Sequence, residues 1–285
     1  CGRTGPYRLD RQMTSDLDAS IQRKAVHAPQ PASPIDPDLL LLAYRSGIFP
    51  MADTRDDPEI FWVEPRRRAI LPLDGFHCSR SLAKVLKRGA LRVTCNAAFA
   101  QVIDACAAPR RDTAETWISG RIRASYLALH DLGHAHSIEC WHDSAEGTRL
   151  VGGLYGVGFG RAFCGESMFS RMTDASKVAL AWLVAALRMG GVTLLDCQFI
   201  TDHLASLGAV EISQNRYLEL LAEAQSGVAG AAGAGAAAAG EAEAEGDGAA
   251  SGLPAGFAAL LDAAKSSGFS SSPGNFIAQS LTHTS

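Results

Sequence analysis

The sequence predicts an α+β protein: a mixed sheet with helices, preceded by a small N-terminal domain. Three observations lead there. Between residues 136 and 169 the chain passes through "HSIECWH", "LVGGLYGVGFG" and "RAFCGESMF", short segments rich in β-branched, aromatic and glycine residues, separated by the turn signals "DSAEG" and "GFGR". Helical stretches precede this block, and helix and strand alternate after it, the order of an α+β sheet and not of a doubly wound fold. The glycines of "GGLYGVGFG" are followed by a strand and do not open a helix, as a dinucleotide-binding loop must, so they mark a bulge or a close approach of backbone or ligand.

Taken in order, residues 1–35 are polar, proline-dotted and aperiodic, the pattern of a disordered extension. Cys1 is not a natural initiator, which makes Met13 the candidate start. Asp36 signals a helix start in "DPDLLLLAYRSGIFPM", and Gly47 and Pro50 stop it, giving one helix and a loop within a small domain over 36–71. A larger domain over 72–226 follows. It opens with a helical stretch over 79–88; Asn96 is placed to cap a second helix, "AAFAQVIDACAA", and Ser119 a third with Ile122, Tyr126 and Leu129 at i, i+4, i+7. The three strand segments form an antiparallel meander. Asp174 then caps an almost wholly apolar helix that ends at Gly190 and Gly191, and the strand "TLLDCQFI", the short helix "DHLASLG", the strand "AVEIS" and the helix "NRYLELLAEA" complete the domain. The alanine, glycine and glutamate tract over 227–252 reads as a tether, and the tail over 253–285 as carrying one short helix.

With 285 residues and 47% hydrophobic content, the chain can bury a sizeable core. No apolar run approaches the roughly 20 residues of a membrane helix, and the first 30 residues lack the apolar centre of a signal peptide, so a cytoplasmic protein without membrane contact is expected. The seven cysteines form no CxxC pair and lie mostly in apolar segments, which reads as reduced, buried thiols. The net charge of −4 excludes no partner, because removing the four acids of the tract (Glu241, Glu243, Glu245, Asp247) brings the remainder to 0.

Chemistry concentrates at two strand ends. Glu166 ends the meander, and Asp196 and Gln198 end the next strand on one face, with Cys197 on the other. If the strands are neighbours, a glutamate, an aspartate and an amide converge. The plainer reading pairs Glu166 with a nearby arginine and lets Asp196 cap a turn.

The segments "AYRSGIFPM", "TWI", "LHDLGHAHSIECW", "LVGGLYGVGFGRAFCGESMFS", "ASKVAL", "LLDCQ" and "HLASLGAVEI", in this order, resemble the leucyl/phenylalanyl-tRNA-protein transferase family from about Leu39 to Glu223. The resemblance implies an N-acetyltransferase-like (GNAT) fold and transfer of leucine or phenylalanine, less readily methionine, from aminoacyl-tRNA to an N-terminal arginine or lysine of a protein. That product is an N-degron. A monomer is expected, with no cofactor and no metal, since an aminoacyl ester needs neither for activation. The chain departs from the family where "QPASPIDPD" replaces the usual "GLLAxGGDLSP", where Met51 stands for a tryptophan of some members, and where "WVEPRRR" replaces "WWxPxxR".

An aminoacyl ester is already activated, and an acceptor α-amine with a pKa near 7.7 to 8 is partly neutral in the cell, so the enzyme must chiefly orient the reactants and stabilise the oxyanion. On this reading Gln198 positions the ester or the amine, Asp196 orients that amide, and Glu166 holds the donor's charged amino group; a neutral amide is too weak a base to take the proton. The resemblance draws the aminoacyl pocket from Met51, Trp117, Leu154, Leu180 and Leu195, with Leu183 and Leu187 reading as ordinary core. Arg80, Lys84, Lys87 and Arg88 fall at i, i+4, i+7, i+8 as a basic stripe, placed by the resemblance where the family contacts tRNA and equally readable as a solvated face. The clusters Arg66–Arg67–Arg68 and Arg110–Arg111 are weaker candidates that read as solvated.

Rival readings remain. The stretch His130, His134, His136, Cys140, His142 matches no familiar zinc spacing. An acyl-CoA-dependent N-acyltransferase would want a phosphate-binding loop at a helix start, and none is convincing. A non-catalytic tRNA-binding module would not need Asp196 and Gln198.

Overall fold

A computed structural model describes residues 24–25, 33–109, 115–226 and 252–282. The extension before residue 33 apart from one residue pair, Arg110 and Arg111, and the tract 227–251 lie outside the described residues.

Asp36 caps the first helix, α1 (Pro37–Arg45), its carboxylate accepting from the N–H groups of Asp38 and Leu39 at 3.0 and 3.1 Å. The chain beyond α1 is not the loop that the sequence suggests. Strands β1 (Lys24–Ala25), β2 (Phe49–Met51) and β3 (Phe61–Val63) form an antiparallel sheet in the order β1-β3-β2. Runs of three residues are too short for periodicity to separate them from turns.

The main sheet has seven strands: β4 (Arg67–Ile70), β5 (Arg92–Cys95), β6 (Ala135–Ser144), β7 (Gly147–Phe159), β8 (Ala162–Ser170), β9 (Leu194–Gln198) and β10 (Val210–Ser213), in the order β10-β4-β9-β8-β7-β6-β5. The expected meander is present as β6, β7 and β8. β9 joins β8 in parallel, and β4 inserts between β9 and β10, antiparallel to both.

Strand alternation divides the core. Leu154 and Leu195 point to one face, packed by α2 (Arg80–Arg88), α5 (Ala175–Met189), α8 (Gly252–Ser266) and α9 (Pro273–Thr282). Their neighbours Tyr155 and Leu194 point to the other, packed by α1, α3 (Phe99–Ala107), α4 (Gly120–Asp131) and α7 (Gln214–Ser226). The short helix α6 (Asp202–Ser206) links β9 to β10. The glycines of β7 are places of close approach. A Cβ at Gly152 would lie 2.5 Å from that of Ala175, and one at Gly156 2.3 Å from the Cys164 carbonyl oxygen, beside the register shift between Tyr155 and Gly156.

Two expected caps are supplied from elsewhere. Asp174 has φ 64° and pairs with Lys177 at 3.0 Å, while Ser170 Oγ at the end of β8 accepts from Ser176 N–H at 3.3 Å to start α5. Asn96 has φ 59° and accepts from Ser137 N–H at 2.9 Å; the buried Glu139 carboxylate of β6 takes the N–H groups of Ala97 and Ala98 before α3, each at 3.3 Å. Ser119 does cap α4, through Ile122 N–H.

The tail holds two helices where one is expected. Leu253, Phe257, Leu260 and Ala264, at i, i+4, i+7, i+11, are the buried stripe of α8, and Phe257 lies against Trp182 of α5 with ring centroids 5.5 Å apart. Among the described residues no helix is long and apolar enough to cross a membrane.

Candidate active site

β8 and β9 pair over Ala162↔Leu194, Phe163↔Leu195 and Cys164↔Asp196; there the ladder stops, although β8 continues to Ser170. Glu166 and Gln198 follow at the point of separation. Gln198 has a left-handed backbone, φ 63°, which costs a non-glycine residue about 1 to 3 kcal/mol and persists only where its surroundings impose it. Its Nε2 donates to Glu166 Oε1 at 2.9 Å. Tyr126 donates to Glu166 Oε2 at 2.9 Å, and the Tyr44 hydroxyl bonds both Tyr126 and Glu166. Burial pushes the Glu166 carboxyl up to about 7, against the downward pull of the hydrogen bonds from Tyr44, Gln198 and Tyr126.

Asp196 has a different environment. Arg68 Nε reaches both its oxygens at 2.9 and 3.1 Å, Arg68 Nη2 and the Tyr217 hydroxyl reach Oδ2 at 2.5 and 3.0 Å, and the Gln198 backbone N–H donates to Oδ1 at 2.7 Å. The three residues are thus linked, with unequal access: Glu166 and Gln198 retain 8% and 7% exposure, and Asp196 has 0%. A substrate entering at the separation can meet the first two and not the third.

Several expectations change at this point. Asp196 orients the main chain of Gln198, while the side-chain amide is oriented by Glu166. The partner of Glu166 is a set of neutral donors and not an arginine. Arg68, expected to be solvated with its neighbours, is 1% exposed. β4 alternation explains it: Arg67 points outward to Glu211, and Arg68 points inward to Asp196. Tyr44, Tyr126 and Tyr217 are hydrogen-bond partners of the trio that sequence reasoning missed; Tyr126 reads as part of an apolar stripe, and only the motif "AYRSGIFPM" draws any notice to Tyr44.

The five expected pocket residues are not brought together. Leu154, Leu180 and Leu195 share the closed core under α5, while half-buried Met51 and Trp117 pack on the opposite core. The reason is again alternation, with Met51 carried on the separate small sheet. A cavity of about 560 Å³ lies at the far end of β9, lined by residues including Arg161, Arg188 and Thr193, and excludes the trio. Arg80, Lys84, Lys87 and Arg88 are all exposed on α2, above buried Leu82 and Leu86. His130 stacks on Phe99 and bonds the Ala135 carbonyl, while His136 bonds Asn96.

Cys164 and Cys197, which flank Asp196 in the paired strands, are raised far above the ordinary thiol range by burial and then by Asp196, so neither is a ready nucleophile. A carboxyl group raised to about 7 beside an amide, where two parallel strands part, is an arrangement suited to a group-transfer enzyme. The family description "Leucyl/phenylalanyl-tRNA protein transferase" matches residues 70–222, and that family's N-terminal domain matches residues 33–66. A leucyl/phenylalanyl-tRNA–protein transferase of Novosphingobium aromaticivorans is 67% identical over 262 residues, covering 88% of this chain and 97% of that one. One of Zymomonas mobilis is 60% identical over 192 residues, 67% of this chain and 70% of the relative. The chain belongs to the leucyl/phenylalanyl-tRNA protein transferase family. Among solved structures, one titled "Crystal structure of FemX" aligns at 12% identity and a TM-score of 0.43 over 62% of this chain and 66% of that one, too distant to carry an argument.

Proposed function

We propose that this enzyme transfers leucine or phenylalanine, and less readily methionine, from aminoacyl-tRNA to the N-terminal arginine or lysine of acceptor proteins, acting as a cytoplasmic monomer and creating an N-degron. The observation that carries the mechanism is the Glu166–Gln198 hydrogen bond at the separation of β8 and β9. The same separation favours an N-acetyltransferase-like reading of the fold, in which parted parallel strands receive an acyl donor.

The donor ester needs no further activation. With Gln198 Nε2 turned to Glu166, its carbonyl oxygen is the end that can accept from the attacking amine, and this sets the angle of attack. Glu166, once ionised, pairs with the donor's α-ammonium. The leaving 3′-oxygen takes its proton through the neighbouring ribose 2′-hydroxyl. Glu166 and Gln198, both within 72–226, carry these steps, with Tyr44 and Arg68 supporting them from before residue 72. The donor's side chain enters against half-buried Met51 and Trp117, on the face of the sheet that also carries Tyr44 and Tyr126, while Leu154, Leu180 and Leu195 back the sheet from its closed core, and shape rather than affinity rejects β-branched donors, since one methylene discriminates by only about 1 to 3 kcal/mol. The α2 stripe of Arg80, Lys84, Lys87 and Arg88 meets tRNA phosphates.

The test mixes purified protein with radiolabelled leucyl-tRNA and a peptide beginning with arginine or one beginning with glycine. Label is expected on the arginine peptide alone; label on both, or on neither, sinks the reading.

A further inference from the structure

We infer that Arg68 is a positioning residue for this transfer: through Asp196 it imposes the left-handed backbone that turns the Gln198 amide across to Glu166. The inference rests on the functional reading above for the reaction it is measured by.

The Arg68 guanidinium is held from every side. Phe49 and Tyr217 lie against it with ring centroids 4.8 and 4.4 Å from Cζ, its Nη1 donates to the Gly47 carbonyl at 3.0 Å, and its Nε and Nη2 grip Asp196. Asp196 Oδ1 then accepts two bonds, from Arg68 Nε and from the Gln198 backbone N–H at 2.7 Å. Drawing that N–H back to a carboxylate two residues earlier bends the chain at Gln198 and holds the strained φ. The Gly47 contact joins the same cation to the N-terminal layer. Gly47 N–H bonds the Tyr44 carbonyl at 2.9 Å, and the Tyr44 hydroxyl is hydrogen-bonded to Tyr126 and Glu166. One buried cation is therefore tied to both members of the pair, to Gln198 through Asp196 and to the Glu166 side through the turn after α1.

Stability alone does not account for this arrangement. A buried ion pair exchanged for apolar residues of similar volume is often neutral or stabilising, whereas removing one partner is costly because it strands the other charge. What an apolar pair cannot do is accept the Gln198 N–H.

The experiment compares Arg68→Lys, Arg68→Met, Asp196→Asn and the double variant Arg68→Met/Asp196→Leu with wild type by thermal unfolding and steady-state transfer. Arg68→Met leaves a stranded charge and melts early, and the double variant recovers the melting temperature. Its kcat is expected to stay down by about 100-fold, with the KM for aminoacyl-tRNA within about threefold of wild type, because misplacement and not lost binding is the defect. Arg68→Lys keeps the charge without the fork, and is expected to fold and to lose about tenfold in kcat. Recovery of kcat together with melting temperature in the double variant, or wild-type kcat in Arg68→Lys, overturns the inference. So does a double variant as unstable as the singles, since the pair then serves the fold alone. Wild-type protein that transfers no leucine overturns instead the functional reading, and this inference with it.

Discussion

Gln198 Nε2 lies 2.9 Å from Glu166 Oε1 across the point where β8 and β9 separate, so one side-chain hydrogen bond spans a gap that the backbone ladder leaves open. That bond uses the amide's donor end and one carboxylate oxygen. Tyr126 occupies the other oxygen, and Asp196 is wholly committed to Arg68, Tyr217 and the Gln198 main chain. The site thus has two layers with different duties. The outer one can meet substrate, and the inner one fixes its geometry.

The outer carboxyl responds to pH. Burial raises Glu166 from the ordinary 4.5 to about 7. A folded-state pKa above the unfolded one means that its contribution to stability is complete below about pH 4.5 and is lost as the pH rises to about 7, a change of roughly 3 kcal/mol. Only the ionised form attracts the donor ammonium, so kcat/KM for aminoacyl-tRNA is expected to rise through about pH 7. Glu166→Gln should fold, lose that limb, and fall at least about tenfold in kcat/KM at pH 8, keeping only the acceptor-amine limb near 7.7 to 8. A pH–rate profile of both proteins at saturating acceptor checks this; an unchanged profile counts against the ammonium contact.

Tyr126→Phe tests the same carboxyl from its other oxygen. The hydroxyl stabilises the ionised form, so its loss should move the Glu166 limb upward by about one pH unit without abolishing it. A limb that stays in place, or moves down, shows that Tyr126 does not set the proton affinity of the site.

How far the sequence discloses this site depends on how far each partner lies along the chain. Glu166 and Gln198 each end a strand recognisable from composition, so their convergence follows once the strands are neighbours. Arg68 lies 128 residues from Asp196, and nothing local separates it from Arg66 and Arg67. Only the insertion of β4 between β9 and β10 settles which of the three points inward. Asn96 fails as a cap for the same reason, because Glu139 arrives from β6 to do that work, whereas Asp174 is displaced locally, by Ser170 six residues before the Ser176 N–H that it accepts from. The expected pocket residues are dispersed for another reason. The alternation of Leu154 and Leu195 is legible, but Met51 sits on a three-residue strand that leaves no periodic signal.

For the basic stripe, the expected outcome is electrostatic. Log affinity for tRNA should fall with log salt by about 0.7 to 0.9 per phosphate contact, and Lys84→Ala/Lys87→Ala should flatten that slope by about 1.4 to 1.8. Both side chains are exposed, so melting temperature should barely move. Filter binding across a salt series decides; a slope indifferent to the change removes α2 from the interface.

The C-terminal helices offer a contrast between two glycines. At Gly256 in α8 an added Cβ would sit 2.0 Å from the Ala186 carbonyl oxygen of α5, a backbone atom that can yield only if the helices separate. Separation would loosen Phe257 from Trp182 and open the apolar face of α5 that Leu253 and Leu260 help close. Gly256→Ala is therefore expected to destabilise by about 1 to 3 kcal/mol, as overpacking does. Gly120, the first residue of α4, has no atom within 4 Å of an added Cβ, and its φ is not left-handed. There alanine only restricts the unfolded chain and favours the helix, so Gly120→Ala is expected to stabilise by about 0.4 to 1 kcal/mol. Urea unfolding of the two variants beside wild type measures both signs at once. Equal shifts in the same direction would mean that α8 does not press on α5 and that the tail contributes little to the fold.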